Sequence, residues 1–165
     1  MDSSQFSTEI KIKPIGLIRT PYIQPKDIPI QGVFKQETVG EVTLFPPYPE
    51  GLKDIAGFSY LYLLFYFHLS PKETLVGKPY LETEDHGIFS IRSPHRPNHI
   101  GLSVVELLEV GDDGFKFKGV DMLDNTPLLD IKPYVTYFDN RSEGKNGWLD
   151  KHFRDGDIPD STILK

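Results

Sequence analysis

Residues 58–69 read FSYLYLLFYFHL, twelve residues in which aromatics outnumber good helix formers, bracketed by Gly57 and Pro71. A chain carrying such a run must bury it. The run is well short of the ~20 apolar residues that a membrane-spanning helix needs, so it is a core element of a folded domain. Its aromatic content and flanking turn residues predict a long buried strand, and a buried helix is the alternative that an apolar run of this length leaves open.

The rest of the chain supports strands. Residues 10–18 alternate apolar and polar positions around Pro14, and residues 39–45, 87–91, 100–110, 115–123 and 128–135 each read as a further strand. The sequence Gly111-Asp112-Asp113-Gly114 is a hairpin signal. Residues 50–56 are the one helical candidate, and residues 137–165 read as a polar tail. Many short strands with short connections predict an all-β chain: a single antiparallel β-barrel with one or two short helices and a polar C-terminal tail. Eleven Phe and eight Tyr in 165 residues supply a β-compatible core, and the length suits one domain with a small appendage.

Composition removes several chemistries. No cysteine is present, which excludes disulfides, thiolate nucleophiles and cysteine-based metal centres. A formal net charge of -6 argues against coating nucleic acid by bulk electrostatics. There is no G-x-G-x-x-G or Walker-type phosphate loop and no G-x-S-x-G elbow. The opening MDSSQFSTEIKIK lacks the continuous apolar core of a secretory signal, so the expected location is cytoplasmic, with no membrane span.

Against this acidic background residues 86–99, HGIFSIRSPHRPNH, hold three of the five histidines and two arginines without one acid. That composition describes a local anion site for a carboxylate or phosphate. Pro94 and Pro97 fix two φ angles, so Arg92, Arg96 and Asn98 sit on a preorganised loop. The bland alternative is an arginine pair that merely ties strands together. His95 and His99 are four apart, but Pro97 between them opposes the helix a metal pair would need, so no metal is expected. His68 ends the apolar run and is equally readable as a hydrogen-bonded strand-end histidine. After the turn Asp124-Asn125-Thr126-Pro127, the residues Asp130, Lys132 and Tyr134 fall at alternate positions of one strand and hence on one face, either a solvated surface or a reactive row.

Three motifs carry a resemblance: PIGLIRTPY at residues 14–22, GIFSIRSPHRPNHIGLS at 87–103 and DNTPLLDIKPYV at 124–135. Together they resemble the TrmO family, whose TsaA-like domain would cover residues 10–138 here, leaving 139–165 as a C-terminal extension. The resemblance implies an S-adenosyl-L-methionine-dependent tRNA methyltransferase on a β-barrel, acting on N6 of threonylcarbamoyl-adenosine at position 37 in the tRNA anticodon loop (t6A37 to m6t6A37). It implies cofactor contacts at Ile30, Gln31, Gly32, His68, Leu69, Arg92, Leu102, Asp124, Asn125, Thr126 and Pro127. His99 stands where the family is expected to have proline, and Asn125 where it often has glycine; Asn tolerates the positive φ such a turn demands.

On this reading Asp130 is the first candidate to accept the proton lost from N6, with Tyr134 beside it. Arg96 and Lys132 would bind the threonylcarbamoyl carboxylate, and His95 and Asn98 face the RNA. Tyr22 or Phe89 would stack on a splayed base. A homodimer is expected, with Pro133 near a strand edge. The rival classes are a non-enzymatic β-barrel that binds S-adenosyl-L-methionine or RNA, and a methyltransferase of this fold with a non-tRNA acceptor.

Overall fold

The computed structural model describes residues 9–80 and 82–152. In chain order the strands are β1 (Gly16–Arg19), β2 (Val39–Leu44), β3 (Tyr60–Tyr66), β4 (Val76–Gly77), β5 (His86–Gly87), β6 (Ile100–Val110), β7 (Gly114–Lys118) and β8 (Thr126–Pro133). Six of them close into a barrel in the order β1-β2-β7-β6-β3-β8, all neighbours antiparallel, while β4 and β5 pair only with each other. Closure removes the open sheet edges that would otherwise invite aggregation.

The apolar run forms β3, but it is half-buried rather than wholly buried: Leu61, Leu63 and Phe65 point inward, while Tyr60, Tyr62, Leu64 and Tyr66 form the other face. Inward residues of the other strands, among them Ile18, Val42, Val105, Phe117 and Leu128, complete the core. Full burial of a side chain such as Phe65 or Phe117 contributes about 1.5–3 kcal/mol.

Several expected boundaries move for identifiable reasons. The first strand begins at Gly16 rather than residue 10, because Pro14 lacks an N–H and residues 10–14 are exposed. The helix expected at 50–56 is replaced by two 3-10 turns, Tyr48–Leu52 and Ile55–Gly57, separated by Asp54 at φ 67. Residues 87–91 are not a strand: β5 ends at Gly87 and Ile88–Ser90 is a 3-10 turn that buries Ile88 and Ile91, three apart, instead of alternate residues. The strand expected at 115–123 leaves the sheet at Gly119, whose φ of 89 turns the chain so that Val120 and Met122 plug the core. Tyr134 lies just beyond the end of β8, but its N–H still bonds the Tyr60 carbonyl at 3.0 Å and its ring packs on Tyr60 and Tyr62, so Asp130, Lys132 and Tyr134 share the outer face, with Leu129 absorbed in a bulge. Pro133 sits where β8 has passed β1 and pairs with β3 only.

The expected polar tail is partly built. Thr136–Asp139 forms one α-helical turn (α1) and Gly147–Lys151 a 3-10 turn, while residues 153–165 of that expectation lie outside the described residues. Trp148 donates from Nε1 to the Ser90 carbonyl at 2.9 Å and stacks on His86 at 5.0 Å. Lys151 and His152 reach Glu82 at 2.5 and 3.1 Å, on a carboxylate only 5% exposed. Those hydrogen bonds, Lys151's first, hold the Glu82 pKa below the ordinary carboxylate range. The tail therefore clasps the segment that leads into Arg92. Trp148→Ala is expected to cost about 1–2 kcal/mol of stability and to accelerate amide exchange across residues 82–92 while the barrel strands keep their protection, which hydrogen-exchange mass spectrometry reads.

Among the described residues no helix is long and apolar enough to cross a membrane.

Candidate functional site

Antiparallel pairing all the way round means that β1, β3 and β7 finish at the end of the barrel where β2, β6 and β8 begin. Three connections, residues 20–38, 67–99 and 119–125, therefore crowd one mouth. Each of the three motifs that carry the resemblance contributes residues to it.

Arg92 is exposed, and its Nη1 donates to Gln31 Oε1 at 2.5 Å, joining the arginine loop to the 20–38 connection. The Gln31 amide is oriented by its own donation to the Ile30 carbonyl at 2.7 Å. Gly32 follows, pressed so closely on the chain at Gly119 that a Cβ would stand 2.0 Å from the Gly119 carbonyl oxygen. Its N–H donates to Asp121 Oδ2 at 3.3 Å, and Ser103 Oγ donates to Asp121 Oδ1 at 2.5 Å. Loss of water around the Asp121 carboxylate raises its pKa; the bonds from Ser103 and Gly32 and the Arg92 charge oppose that rise.

The 124–127 turn forms the opposite rim. Thr20 N–H donates to Asp124 Oδ1 at 3.0 Å, Arg19 donates to Asn125 Oδ1, and Thr126 Oγ1 donates to the Leu123 carbonyl at 2.8 Å. Asn125 has φ 61, the left-handed conformation that glycine or asparagine accepts most easily, so the replacement of the expected glycine leaves the turn intact. His68 and the exposed Leu69 follow β3 at the same mouth. Leu102 lies on the outer wall of β6 opposite Leu64 and is 54% exposed.

The RNA-side candidates divide. Arg96 spends one guanidinium N–H on the Ile91 carbonyl at 3.2 Å, tying its own loop, and its other donors carry no bond among the described residues. His95 Nδ1 meets Ser70 Oγ at 2.8 Å. Asn98 donates its backbone N–H to Glu73 at 3.2 Å and has φ 63. His99 has φ 48, a conformation closed to the proline expected there, and its ring is held by the Pro94 carbonyl at 3.0 Å and by Tyr66 edge-on at 5.9 Å. It braces the loop.

Other candidates are not at the mouth. Asp130 pairs with Lys132 at 2.8 Å on the outer wall, opposite Leu64 and Tyr62 of β3, and Tyr134 packs on Tyr60 and Tyr62 toward the far end. Tyr22 is buried with its hydroxyl on Thr38 at 2.9 Å, which leaves Phe89, 76% exposed, as the free aromatic of the two. Asp121 and Ser103 were missed by sequence reasoning because both fall inside runs that read as ordinary strand. The signal available was one acid between Val120 and Met122, two residues after Gly119. Among the described residues no group of three or more His, Asp or Glu is placed to hold a metal ion.

The chain as a whole has counterparts among known proteins. The family model of the tRNA-methyltransferase O N-terminal domain matches residues 17–140. A probable S-adenosyl-L-methionine-binding protein of Pyrococcus abyssi is 47% identical over 140 residues, 85% of this chain and 76% of its own. The tRNA (adenine(37)-N6)-methyltransferase of Escherichia coli is 35% identical over 140 residues, 79% of this chain and 60% of its own. The crystal structure of TrmO from Pseudomonas aeruginosa superposes with a TM-score of 0.73 at 35% identity, covering 86% of this chain and 63% of that one. The chain thus spans less than two thirds of those two bacterial proteins. With the family model matching residues 17–140, and so the barrel along nearly its whole length, the chain belongs to the TrmO N-terminal-domain family.

Proposed function

We propose that the chain is an S-adenosyl-L-methionine-dependent tRNA methyltransferase acting on N6 of threonylcarbamoyl-adenosine at position 37. The observation that carries this reading is the Arg92–Gln31 clamp at the barrel mouth, an outward guanidinium held by an amide and backed by Gly32 and Asp121. The donor set suits the methyl donor: a guanidinium for its carboxylate, the Asp124 carboxylate for its ammonium or ribose hydroxyls, and exposed Leu69 and Leu102 for its purine. When bound, S-adenosyl-L-methionine supplies an electrophilic methyl group.

The residues of the chain supply position and charge. Arg92 and Gln31 would orient the donor, and the Asp124–Pro127 turn would close its other side, so that much of the acceleration comes from alignment. The unspent N–H groups of Arg96, in the loop stiffened by Pro94 and Pro97, would bind the threonylcarbamoyl carboxylate, with Asn98 and His95 beside it. Phe89 would stack on an unpaired base of the anticodon loop. Asp130, Lys132 and Tyr134 have no part at this mouth within one chain. A tRNA substrate implies a cytoplasmic location.

The outer wall of β3 and β6 fits a second copy of the chain. Tyr60, Tyr66, Leu102 and Val104 are 39–54% exposed there, around the less exposed Tyr62 and Leu64, with Glu106, Asp130 and Lys132 at the margin. An apolar, aromatic centre with a charged rim is the composition of a homodimer contact.

Methyl transfer to threonylcarbamoylated and to unmodified tRNA, followed by nucleoside mass analysis, tests the reading. The wild-type chain is expected to prefer the modified tRNA at least tenfold, and Arg96→Ala to abolish that preference while keeping donor binding. Donor binding without transfer to any tRNA would favour a binding module, consistent with the Pyrococcus relative being named only for binding.

A further inference from the structure

Asp121 is a carboxylate to which the proposed reaction gives no chemical step, in a place where a charge is costly. It is half-buried, between Val120 and Met122, which are 0% and 2% exposed. Its two oxygens accept from groups on different parts of the fold: the Ser103 hydroxyl of β6, itself 7% exposed, and the Gly32 N–H of the 20–38 connection. Gly32 is locked on its other side by contact with Gly119, and its neighbour Gln31 receives Arg92. One side chain therefore bonds directly to two walls of the mouth and, through Gln31, holds the third.

We infer that Asp121 is a positioning residue for the methyl-donor site: its carboxylate holds the Gln31–Gly32 segment on the barrel mouth so that Gln31 and Arg92 meet the ligand already aligned. The inference rests on the reading of that site given above. A carboxylate serves because it offers acceptors to an N–H and an O–H at once, and because its charge balances Arg92, the charged side chain that acts on it.

The energetics separate this role from a structural one. A carboxyl whose folded-state pKa is raised adds stability that is fully present below its unfolded pKa and is lost as pH rises through the folded value. Above that value the ionised group therefore costs the fold. Asparagine, which can accept from Gly32 and donate to Ser103, removes the charge without removing the shape. A group retained at a cost to stability points to a role in function.

In the full chain, Asp121→Asn is expected to keep or raise the melting temperature while weakening S-adenosyl-L-methionine binding at least tenfold in calorimetry at a pH above the raised carboxyl value. Wild-type affinity should fall as pH is lowered through the raised carboxyl pKa, and the variant's should change far less over that range. Faster amide exchange at residues 30–34 of the ligand-free variant, with barrel strands unchanged, is the ligand-independent measure. Wild-type affinity in the variant, or a melting temperature that drops in step with affinity, overturns the inference. If the wild-type chain binds no S-adenosyl-L-methionine, the site reading fails, and the exchange measurement alone decides whether Asp121 positions the segment.

Discussion

Arg92→Ala is expected to weaken S-adenosyl-L-methionine binding by two to three orders of magnitude in titration calorimetry, with a melting temperature close to that of the wild type. The two halves of this expectation have different origins. Arg92 is exposed and its side-chain hydrogen bond is to a loop amide, so little of the fold depends on it; exposed substitutions of this kind usually stay within about 0.5 kcal/mol. Truncating one partner of a desolvated charged pair costs about 2–5 kcal/mol, and the ligand carboxylate would be left without its guanidinium. The variant also frees Gln31 and removes the positive charge that acts on Asp121, so the Asp121 pKa should climb further. Arg92→Lys keeps the charge but not the planar fork, and should recover only part of the affinity. Equal binding by the alanine variant and the wild type would remove Arg92 from the donor site.

What could be read in advance follows from how local each signal is. β6 spans the predicted 100–110, and the hairpin into β7 falls at Gly111–Gly114, because strand alternation and turn glycines are encoded within a few residues. The Asn125 turn was legible for the same reason. Residues 88–91 misled because Ile-Phe-Ser-Ile serves a 3-10 turn, burying its two ends, as readily as a strand. Asp121 and Ser103 were invisible for a different reason. Their meaning lies in a meeting between segments 18 residues apart, at a mouth that exists only after the barrel closes. The tail clasp is of the same kind: Trp148 and Ser90 are 58 residues apart, and the tail's composition says nothing of what it will touch. Asp130 and Tyr134 illustrate the converse, since a polar alternation on a strand specifies a shared face but not which end of a barrel that face serves.

That outer face yields the second large effect. Val104→Asp is expected to convert a homodimer to a monomer, read as a halving of the mass in light scattering. Val104 is 47% exposed and faces Tyr62 across the β3–β6 ladder, at the centre of the apolar patch. Its side chain points away from the core, so the substitution should leave the barrel's melting temperature nearly unchanged once the contribution of association is allowed for. A two-fold interface presents the same patch twice, so one substitution introduces two carboxylates and strips two apolar contacts. Burying even one unpaired charge is enough to defeat a contact of this kind. The neighbouring Leu102 links assembly to the mouth: it is the one expected donor contact on the outer wall, directly opposite Leu64. If a second copy covers that wall, Leu102 is at the seam, and the monomeric variant should bind the methyl donor less tightly although Arg92, Gln31 and Asp121 are untouched. A Val104→Asp chain that is monomeric yet binds the donor as the wild type does would separate assembly from the site. A wild-type chain that is already monomeric at high concentration would show that this face serves something other than a second copy.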